Sequence, residues 1–542
     1  MQKKDEGCKM KKYRIFLILV CTSFFAAAFS IIGCKDLLPD EEPPGKVTDF
    51  VATAGDGQIT LSWVNPQDAD FAGVIVVFSI DETPESVEAG EKIYEGTNTS
   101  YTHRDITTGT VYYYTVFAFD EGGNYAAGVS GAATIIGELS WERTIDFAAG
   151  TDSFYGVAID SQENVIAVGY YDPDPDTTTM GTTSYIVKFS DAGTILWDDE
   201  IEVGAVGGEK ASSDERLYDV AVDADDNVYV VGQVSGTFTS YALGSYHSAF
   251  LIRKYDADGN LLWEDIWQES SNSPWNTAYG LDIDTTGNAY AGGLAFGSWS
   301  TLGAWAIRKY SPEGDSLFSP AIIYDPVRNI ADLNELCREV KIDSEGAIIG
   351  SGRVGVSYPD ATTYDYNWHV RKYDAAGNTV WSSTYANPAN LNDRAFSVDI
   401  DSADDVFVAG YTNKGTLNSG DGANYDWLVK KYSKDGDGGE GEVLWTYQYE
   451  TAADSSEGCY ALAADTDNHV LVCGTKIVSD NEKYIRVIKL ANVDGAELGE
   501  YLYSAPNGCA PWAVSIRGNG IAVAGTVNNG NDSDMFVMYL EK

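Results

Sequence analysis

The sequence contains few of the residues that usually build metal and nucleophile sites. It has 7 cysteines and 4 histidines among 542 residues. The histidines are scattered and no two cysteines have the CxxC spacing, so the sequence predicts no zinc site. Nucleophile motifs and phosphate-binding loops are also absent, and we expect no organic cofactor.

Basic side chains are scarce as well. The chain carries 35 Lys and Arg against 82 Asp and Glu, a formal net charge of −47. A field of that sign repels nucleic acid and anionic lipid, so we expect neither as a direct partner. Cations and neutral or basic ligands remain, and the acidity is also typical of a soluble surface protein.

Long apolar runs are missing except near the amino terminus. Six basic residues precede an apolar run from Ile15 to Ile32, which ends in Ile31-Ile-Gly-Cys34. This ending resembles the lipobox of bacterial lipoproteins, and we interpret residues 1–33 as a signal peptide with Cys34 as the lipidated residue. A transmembrane helix is the alternative. Because Lys35 follows the cysteine, the resemblance implies a lipid-anchored protein of the bacterial cell envelope, at the outer membrane or cell surface.

Two segments separate this signal from the rest of the chain. Residues 34–43 are acidic and rich in proline, which indicates an extended tether. Residues 44–137 contain short alternating strands without a long repeat. With Trp63 on a second strand and Tyr112 after the Gly109 turn, this segment resembles a fibronectin type III module.

The remaining chain is a repeat of about sixty residues. In each copy an apolar strand ends in a marker residue, a tight turn follows, and a glycine stands eight or nine residues after the marker. The markers are Asp160, Asp223, Asp284, Asp343, Asp401, Asp465 and Arg517.

Each repeat predicts four antiparallel strands, which form one propeller blade. The third strand carries motifs such as R-K-Y, and the fourth ends near a Trp. The seventh repeat lacks a fourth strand, and Leu139-SWERTID supplies one, so we expect it to pair with residues 535–541 and close the ring. The pattern resembles the bacterial seven-bladed SBBP-type repeats. We therefore predict an all-β chain, a fibronectin III-like sandwich followed by a seven-bladed β-propeller over residues 138–542.

The long connections of every repeat open on one face, called the top, where propellers collect residues from several blades. Aromatic residues dominate the position five residues before each marker: Tyr155, Tyr218, Tyr279, Arg338, Phe396, Tyr460 and Trp512. A third-strand column contributes Trp305, Trp368 and Trp427, and the loops contribute Trp275 and Trp299. These rings suit a glycan or an aromatic-rich peptide. For the columns, packing between blades is the alternative.

Turn carboxylates and cysteines leave further alternatives open. Calcium could bind Asp256, Asp258, Asp374 and the run Asp172-PDPD, although Asp-Gly hairpin turns explain these residues without a metal. Cys459 and Cys509 precede inner strands of neighbouring repeats. They predict either a disulfide between blades or buried free thiols.

These features favour a surface-displayed, lipid-anchored binding or scaffold protein. The first alternative is a glycan-active hydrolase or lyase, and the second is a subunit of outer-membrane assembly machinery. The turn Ser190-DAGTILW differs in register from the sialidase Asp box S-x-D-x-G-x-x-W. We also expect no cluster of arginines on the top face, which argues against a sialidase.

Overall fold

The computed structural model describes most of the chain beyond the amino-terminal region, and every regular element in it is a β-strand. The described ranges are 42–55, 57–147, 150–173, 181–201, 214–236, 247–268, 275–296, 303–318, 321–324, 335–356, 365–387, 392–413, 425–449, 457–479 and 482–542. Within these ranges no helix has the length and apolarity needed to cross a membrane.

Seven strands precede the repeats and form a sandwich of two sheets. The three-stranded sheet has the order β1-β2-β5 and the four-stranded sheet the order β4-β3-β6-β7. Their bounds are β1 Thr48–Gly55, β2 Gln58–Val64, β3 Phe71–Ser79, β4 Glu91–Gly96, β5 Ser100–His103, β6 Tyr112–Asp120 and β7 Val129–Ala133.

Alternating apolar residues of both sheets meet in the core of the sandwich, as expected when one face of each sheet is buried. Trp63 is buried there, and its indole nitrogen donates to Asn65 Oδ1 at 2.9 Å. The Tyr112 hydroxyl accepts a hydrogen bond from the Thr107 amide at 2.8 Å. This bond fixes the turn that leads into β6.

Seven four-stranded antiparallel sheets follow, one for each repeat, and in the first six the strands are in sequence order. Blades 1 to 3 contain β9 Ser153–Ile159, β10 Val165–Tyr171, β11 Thr183–Phe189, β12 Ile195–Ile201, β13 Glu215–Val222, β14 Val228–Gly236, β15 His247–Tyr255, β16 Leu261–Trp267, β17 Asn276–Ile283, β18 Ala289–Phe296, β19 Gly303–Tyr310 and β20 Ile322–Tyr324. Blades 4 to 6 contain β21 Leu336–Ile342, β22 Ile348–Val356, β23 Asp365–Tyr373, β24 Thr379–Tyr385, β25 Arg394–Ile400, β26 Val406–Asn413, β27 Tyr425–Tyr432, β28 Val443–Tyr449, β29 Cys459–Ala464, β30 Val470–Ser479, β31 Glu482–Leu490 and β32 Glu497–Ser504.

The seventh blade joins the two ends of the repeat region. Its strands are β33 Cys509–Arg517, β34 Gly520–Asn528 and β35 Ser533–Glu541, and the fourth is β8 Glu138–Ile145 from before the first blade. Antiparallel pairing sets Met535 opposite Ile145 and Tyr539 opposite Trp141. The innermost strand of each blade contacts that of the next, and β33 contacts β9. The predicted sandwich, propeller and closing strand are therefore confirmed.

A buried ion pair recurs at the lower end of six blades. The marker aspartate caps its own turn, and the third-strand lysine approaches it; in blade 1 the Lys188 Nζ to Asp160 Oδ2 distance is 2.8 Å. The equivalent pairs are Lys254–Asp223, Lys309–Asp284, Lys372–Asp343, Lys431–Asp401 and Lys489–Asp465. A buried charge is tolerated when it is paired and hydrogen-bonded, which explains why both residues return together in these six copies.

The outer-strand tryptophans connect neighbouring blades. The Trp197 indole nitrogen donates to the Ala257 carbonyl of the next blade at 3.1 Å, and Trp263 donates in the same way to Pro312 at 2.9 Å. A Cβ added to Gly259, whose φ is +88°, would stand 2.7 Å from the Trp197 ring. The glycine of the outer turn is therefore required by both the turn and the indole of the preceding blade.

Candidate functional site

A β-bulge at the top of every inner strand carries the predicted aromatic column. In blade 2, Leu217 pairs with Gly232 and Asp219 with Val231, so Tyr218 is the extra residue between them. The same register shift occurs in the other six blades at the equivalent residue. Bulges redirect side chains, and these turn seven side chains toward the propeller axis. We call them the top ring: Tyr155, Tyr218, Tyr279, Arg338, Phe396, Tyr460 and Trp512.

The glycine that follows each marker belongs to this bulge. A Cβ on Gly232 would lie 1.9 Å from the Arg216 carbonyl oxygen, and one on Gly410 would lie 2.0 Å from that of Arg394. Backbone atoms cannot move aside as a flexible side chain can. The glycine that recurs after each marker is therefore needed for the bulge that positions the top-ring side chain.

Neighbouring side chains of the top ring touch around the axis. Ring centroids are 5.7 Å apart for Tyr155 and Tyr218, 4.7 Å for Tyr218 and Tyr279, and 5.5 Å for Tyr155 and Trp512. Arg338 completes the circle, with its guanidinium carbon 5.0 Å from the Tyr279 centroid and 5.8 Å from that of Phe396. All seven side chains remain partly exposed, so the ring forms an aromatic floor on the top face.

Directly below the floor, the channel along the axis has a cavity of about 270 Å³. Two carboxyl groups, Asp219 of blade 2 and Glu339 of blade 4, approach each other there across Gly280 of blade 3. A Cβ on Gly280 would be 2.8 Å from Glu339 Oε1, and the Leu281 amide donates to Asp219 Oδ2 at 2.7 Å. Only a residue without a side chain leaves this space open between them.

Burial raises the pKa of both carboxyl groups, and the negative charge of Asp219 raises that of Glu339 further. The positive charges of Lys341 and Arg338 oppose the increase at both groups. Asp219 accepts backbone hydrogen bonds from Val220 and Leu281, which stabilise its ionised form. Glu339 accepts one, from Val340 at 3.1 Å. Burial and the charge of Asp219 thus favour the protonated form of Glu339, whereas the backbone hydrogen bonds favour the ionised form of Asp219, a difference that suits an acid and a base.

A second charged layer lies further down the channel. Lys341 Nζ is 3.5 Å from Asp282 Oδ1 and 4.0 Å from Asp399 Oδ1. Although burial opposes it, the two carboxylates raise the pKa of Lys341. The carboxylates also accept backbone amides of the next blade, Ile342 to Asp282 and Ala464 to Asp399, each at 2.8 Å. This layer therefore holds blades together and keeps its lysine charged.

A second cavity of about 250 Å³ opens beside the top ring and shares three of its residues, Tyr279, Arg338 and Phe396. Arg353 of β22 and Arg394 of β25 also line it. We call Arg338, Arg353 and Arg394 the arginine pocket. The expectation that the top face has no arginine cluster is therefore wrong, because β21, β22 and β25 each bring one arginine to the same cavity.

The third-strand tryptophans occupy a different environment from the one expected. Trp305 is 1% exposed, and Trp368 and Trp427 are fully buried. Their indole nitrogens donate across blade boundaries, to the Arg353 carbonyl at 2.9 Å, the Tyr432 hydroxyl at 3.2 Å and the Thr475 carbonyl at 3.0 Å. Their burial corrects the expectation of a ligand contact and favours the alternative, packing between blades.

The other predicted site residues have separate outcomes. Trp275 is 56% exposed at the top and packs edge-on against Phe296 at 5.5 Å. Trp299 and the lipidation candidate Cys34 lie outside the described residues. Cys459 and Cys509 are buried free thiols, which settles the alternative of a disulfide between them.

The turn aspartates proposed for calcium are engaged within their own turns. Asp256 Oδ1 accepts the amides of Asp258 and Asn260 at 3.0 and 2.8 Å, and Asp374 makes the equivalent bonds. The later aspartates of the Asp172-PDPD run lie outside the described residues.

One other acidic cluster could hold a metal ion. Asp146, Asp152 and Asp534 place carboxylate oxygens within 4.8 Å of one another. Burial raises the pKa of Asp152 to about 6, and its Oδ1 accepts no hydrogen bond from the described residues.

The channel carboxylates Asp219 and Glu339, and the arginines Arg353 and Arg394, were not among the site residues expected from the sequence. A signal existed for Asp219 and Glu339, since each directly follows a top-ring residue where the other blades have Gly, Ser or Ala. Arg353 directly follows the bulge glycine Gly352 and had no such contrast, because that position varies among the blades. The role of Arg353 becomes visible only in the structure, where it lines the same cavity as Arg394 of the next blade.

The chain has only distant similarities to known proteins. No protein-family model matches it. An uncharacterized WD repeat-containing protein of Acanthamoeba polyphaga mimivirus is 27% identical over 178 residues, covering 27% of this chain and 12% of that protein. The chain thus matches only a small part of this curated relative's length.

Three solved structures cover about three quarters of the chain. A polysaccharide lyase, Uly1, has 9% identity and a TM-score of 0.43, covering 74% of this chain and 99% of its own. The Trypanosoma rangeli sialidase has 7% identity and a TM-score of 0.37, with coverages of 78% and 56%. The Penicillium chrysogenum alpha-L-arabinanase has 11% identity and a TM-score of 0.36, with coverages of 75% and 96%.

These three structures are glycan-active enzymes. The primary expectation of a binding or scaffold protein is corrected on this finding, in favour of the alternative, a glycan-active hydrolase or lyase. At 7–11% identity, no catalytic residue and no substrate of these enzymes can be assigned to this chain. Any activity must follow from the residues of its own site.

Proposed function

We propose that this protein is a glycan-active enzyme, a hydrolase that binds its substrate on the top ring. The observation that carries the proposal is the pair Asp219 and Glu339 directly beneath the aromatic floor. Two carboxyl groups in unequal protonation states are the chemical requirement for cleaving a glycosidic bond. In the described part of the chain, this pair is adjacent to the floor that could hold a sugar.

The top ring suits sugar binding because its faces are flat, partly exposed and held by their neighbours. The Tyr155 and Tyr170 rings stack at 5.1 Å, and their hydroxyls are hydrogen-bonded at 2.9 Å. Rings fixed in this way lose little conformational entropy when a sugar stacks on them. Their hydroxyls supply polar contacts at the edge of the apolar faces.

In the proposed reaction Glu339 is the acid and Asp219 the base. Glu339 gives its proton to the glycosidic oxygen as the bond from that oxygen to the anomeric carbon breaks. Water attacks the anomeric carbon, and its proton passes to Asp219. The free enzyme is restored when a proton returns from Asp219 to Glu339 through solvent.

A Glu339→Gln variant tests this assignment in the mature chain, using a glycan panel and an assay for new reducing ends. We expect cleavage to fall about 10² to 10⁴-fold, because a positioned acid contributes that much. The melting temperature should not fall, since the amide matches the protonated carboxyl in size and in its lack of charge. Glu345→Gln, a change at an exposed turn on the opposite face, is the matched control and should retain wild-type cleavage.

The nature of the products decides the reaction class. New reducing ends without unsaturated sugars would support hydrolysis, whereas unsaturated ends would identify a lyase and remove water from the scheme. If wild-type protein cleaves no glycan in the panel, the proposed activity is wrong.

We also propose that the propeller belongs with the SBBP-type repeats and the sandwich with fibronectin type III modules. The strand order of the sandwich and the Tyr112 bond support the second assignment. The proposed division is a signal peptide over 1–33, a tether over 34–43, the sandwich over 44–137 and the propeller over 138–542. Because the net charge is −47, we do not propose nucleic acid as a partner.

For the envelope location, we propose that lipid on Cys34 anchors the protein to the outer membrane or cell surface. The support is the Ile31-Ile-Gly-Cys34 ending after the apolar run. Replacing Cys34 with Ser should abolish incorporation of labelled fatty acid and release the protein from the membrane fraction. Unchanged labelling of that variant would contradict the anchor.

A further inference from the structure

We propose that the arginine pocket binds the carboxylate of an acidic sugar, so that the substrate is a carboxylated glycan such as a polyuronate. The inference rests on the proposed function and names its substrate class. Its observation is separate from the channel carboxylates: three guanidinium groups line one cavity that is continuous with the aromatic floor.

The three arginines stand out against the acidity of the chain. Elsewhere the most buried arginines are paired with acids: Arg253 with Glu264, Arg308 with Asp265, and Arg486 with Glu497 and Glu500. Arg338 and Arg394, in contrast, have no ion pair with any carboxylate of the described residues. A chain with 82 acidic residues thus leaves these two cations without a described acidic partner.

Tyrosine rings pack against the guanidinium groups of the pocket. The Arg353 guanidinium carbon lies 4.2 Å from the Tyr366 centroid, and that of Arg394 lies 5.6 Å from it. Nε of Arg394 is buried without an acceptor among the described residues. Burial lowers the pKa of Arg353 to about 10, and the positive charge of the neighbouring Arg394 acts in the same direction. An anion would relieve the repulsion between these positive charges and accept the unsatisfied donor.

The chemistry of the pocket favours a carboxylate on a single sugar. A guanidinium presents two parallel N–H donors that match the two oxygens of a carboxylate. A volume of about 250 Å³ accommodates about one sugar residue. Because Tyr279, Arg338 and Phe396 border both cavities, a chain held here by its carboxylate would extend across the top ring, above Glu339.

The net charge of −47 had excluded anionic partners in general. That conclusion concerns the long-range field, which salt screens within about 8 Å at physiological ionic strength. Recognition inside the pocket depends instead on contacts at hydrogen-bond distance. The net charge therefore acts at long range, whereas the arginines of the pocket act at contact distance.

The test is calorimetric binding to the mature protein of oligosaccharides built from galacturonate, glucuronate or mannuronate. Each is compared with its carboxyl-reduced counterpart, which keeps the sugar and removes the charge. We expect at least one uronate series to bind and its reduced form to bind at least about tenfold more weakly. This comparison needs no variant, so it does not depend on whether a substituted protein folds.

Variants locate the binding. Arg394→Gln should weaken uronate binding at least about tenfold. Arg104→Gln removes the same charge from an exposed position on the sandwich and should have no effect. Equal binding of acidic and reduced glycans, binding of a sulfated oligosaccharide but of no uronate, or no binding by any of the three series would each overturn the proposal.

Failure of this inference can be told apart from failure of the proposed activity. Uronate binding without new reducing or unsaturated ends would remove the activity and leave the carboxylate site intact. Cleavage restricted to neutral glycans would do the reverse.

Discussion

At the scale of the residue, position in the blade decides what a tryptophan does. Trp305, Trp368 and Trp427 are buried between blades, and each donates one hydrogen bond to the next blade. Trp275, only a few residues from a buried strand, is 56% exposed. The sequence placed the first three in a third-strand column and Trp275 in a loop, but a ligand contact was expected for all four.

This difference in burial predicts that Ala substitutions at the four tryptophans change the free energy of unfolding by different amounts. Replacing Trp305, Trp368 or Trp427 with Ala should lower the free energy of unfolding by about 3 to 5 kcal/mol, since each change leaves a large cavity and an unpaired acceptor. Trp275→Ala should change it by less than about 0.5 kcal/mol. Denaturant unfolding of the four variants measures both effects. A neutral Trp368→Ala variant would contradict the packing role.

At the scale of the element, the repeat was predictable because each blade repeats the same physical requirement. Marker aspartates cap tight turns and pair with third-strand lysines, so their spacing shows where strands end. The missing fourth strand of the seventh repeat likewise predicted the pairing of β8 with β35. Counting strands sufficed because an unpaired edge inside a closed ring is costly.

The bulges could not be predicted in the same way. The glycine after each marker is visible in the sequence, but the cause of its recurrence is not. A carbonyl oxygen of the neighbouring strand leaves no room for a Cβ, as the Arg394 carbonyl does at Gly410. The approach of Asp219 to Glu339 across Gly280 likewise depends on three blades meeting at the axis. Such contacts join residues far apart in the chain, where periodicity carries no information. The aromatic column was therefore predicted, whereas the acids below it were not.

At the scale of the whole molecule, two sets of carboxyl groups respond to pH in opposite directions. Burial raises the pKa of Asp152 and Asp393 to about 6 in the folded chain. For Asp160, burial also acts to raise the pKa, but hydrogen bonds from Lys188 and Asn164 outweigh it and lower the pKa. The pKa of Asp404 is lowered in the same way, by hydrogen bonds from Ser344 that outweigh the effect of burial. The unfolded chain titrates all four near about pH 4.

These shifts predict that the contribution of these four carboxyl groups to stability is largest near about pH 5. A carboxyl with a raised pKa binds more protons when folded, so its contribution falls as pH rises from about 4 to about 6. A carboxyl with a lowered pKa stabilises the fold above its unfolded pKa, and that contribution is lost as pH falls below about 4. Repulsion within a chain of net charge −47 adds to the loss above neutrality.

Asp152→Asn tests this account, with melting temperatures measured from about pH 4 to about pH 8 in the presence of a chelator. The variant removes one charge from the cluster with Asp146 and Asp534, and its amide can donate to those carboxylates. We expect it to melt at a higher temperature than wild type near about pH 7.5, with a shallower decline above about pH 5. Asp258→Asn, at an exposed turn, is the matched control and should follow the wild-type curve. A wild-type melting temperature that rises steadily through neutral pH would mean that the raised carboxyl groups do not govern stability, because the native state would then bind fewer protons than the unfolded chain.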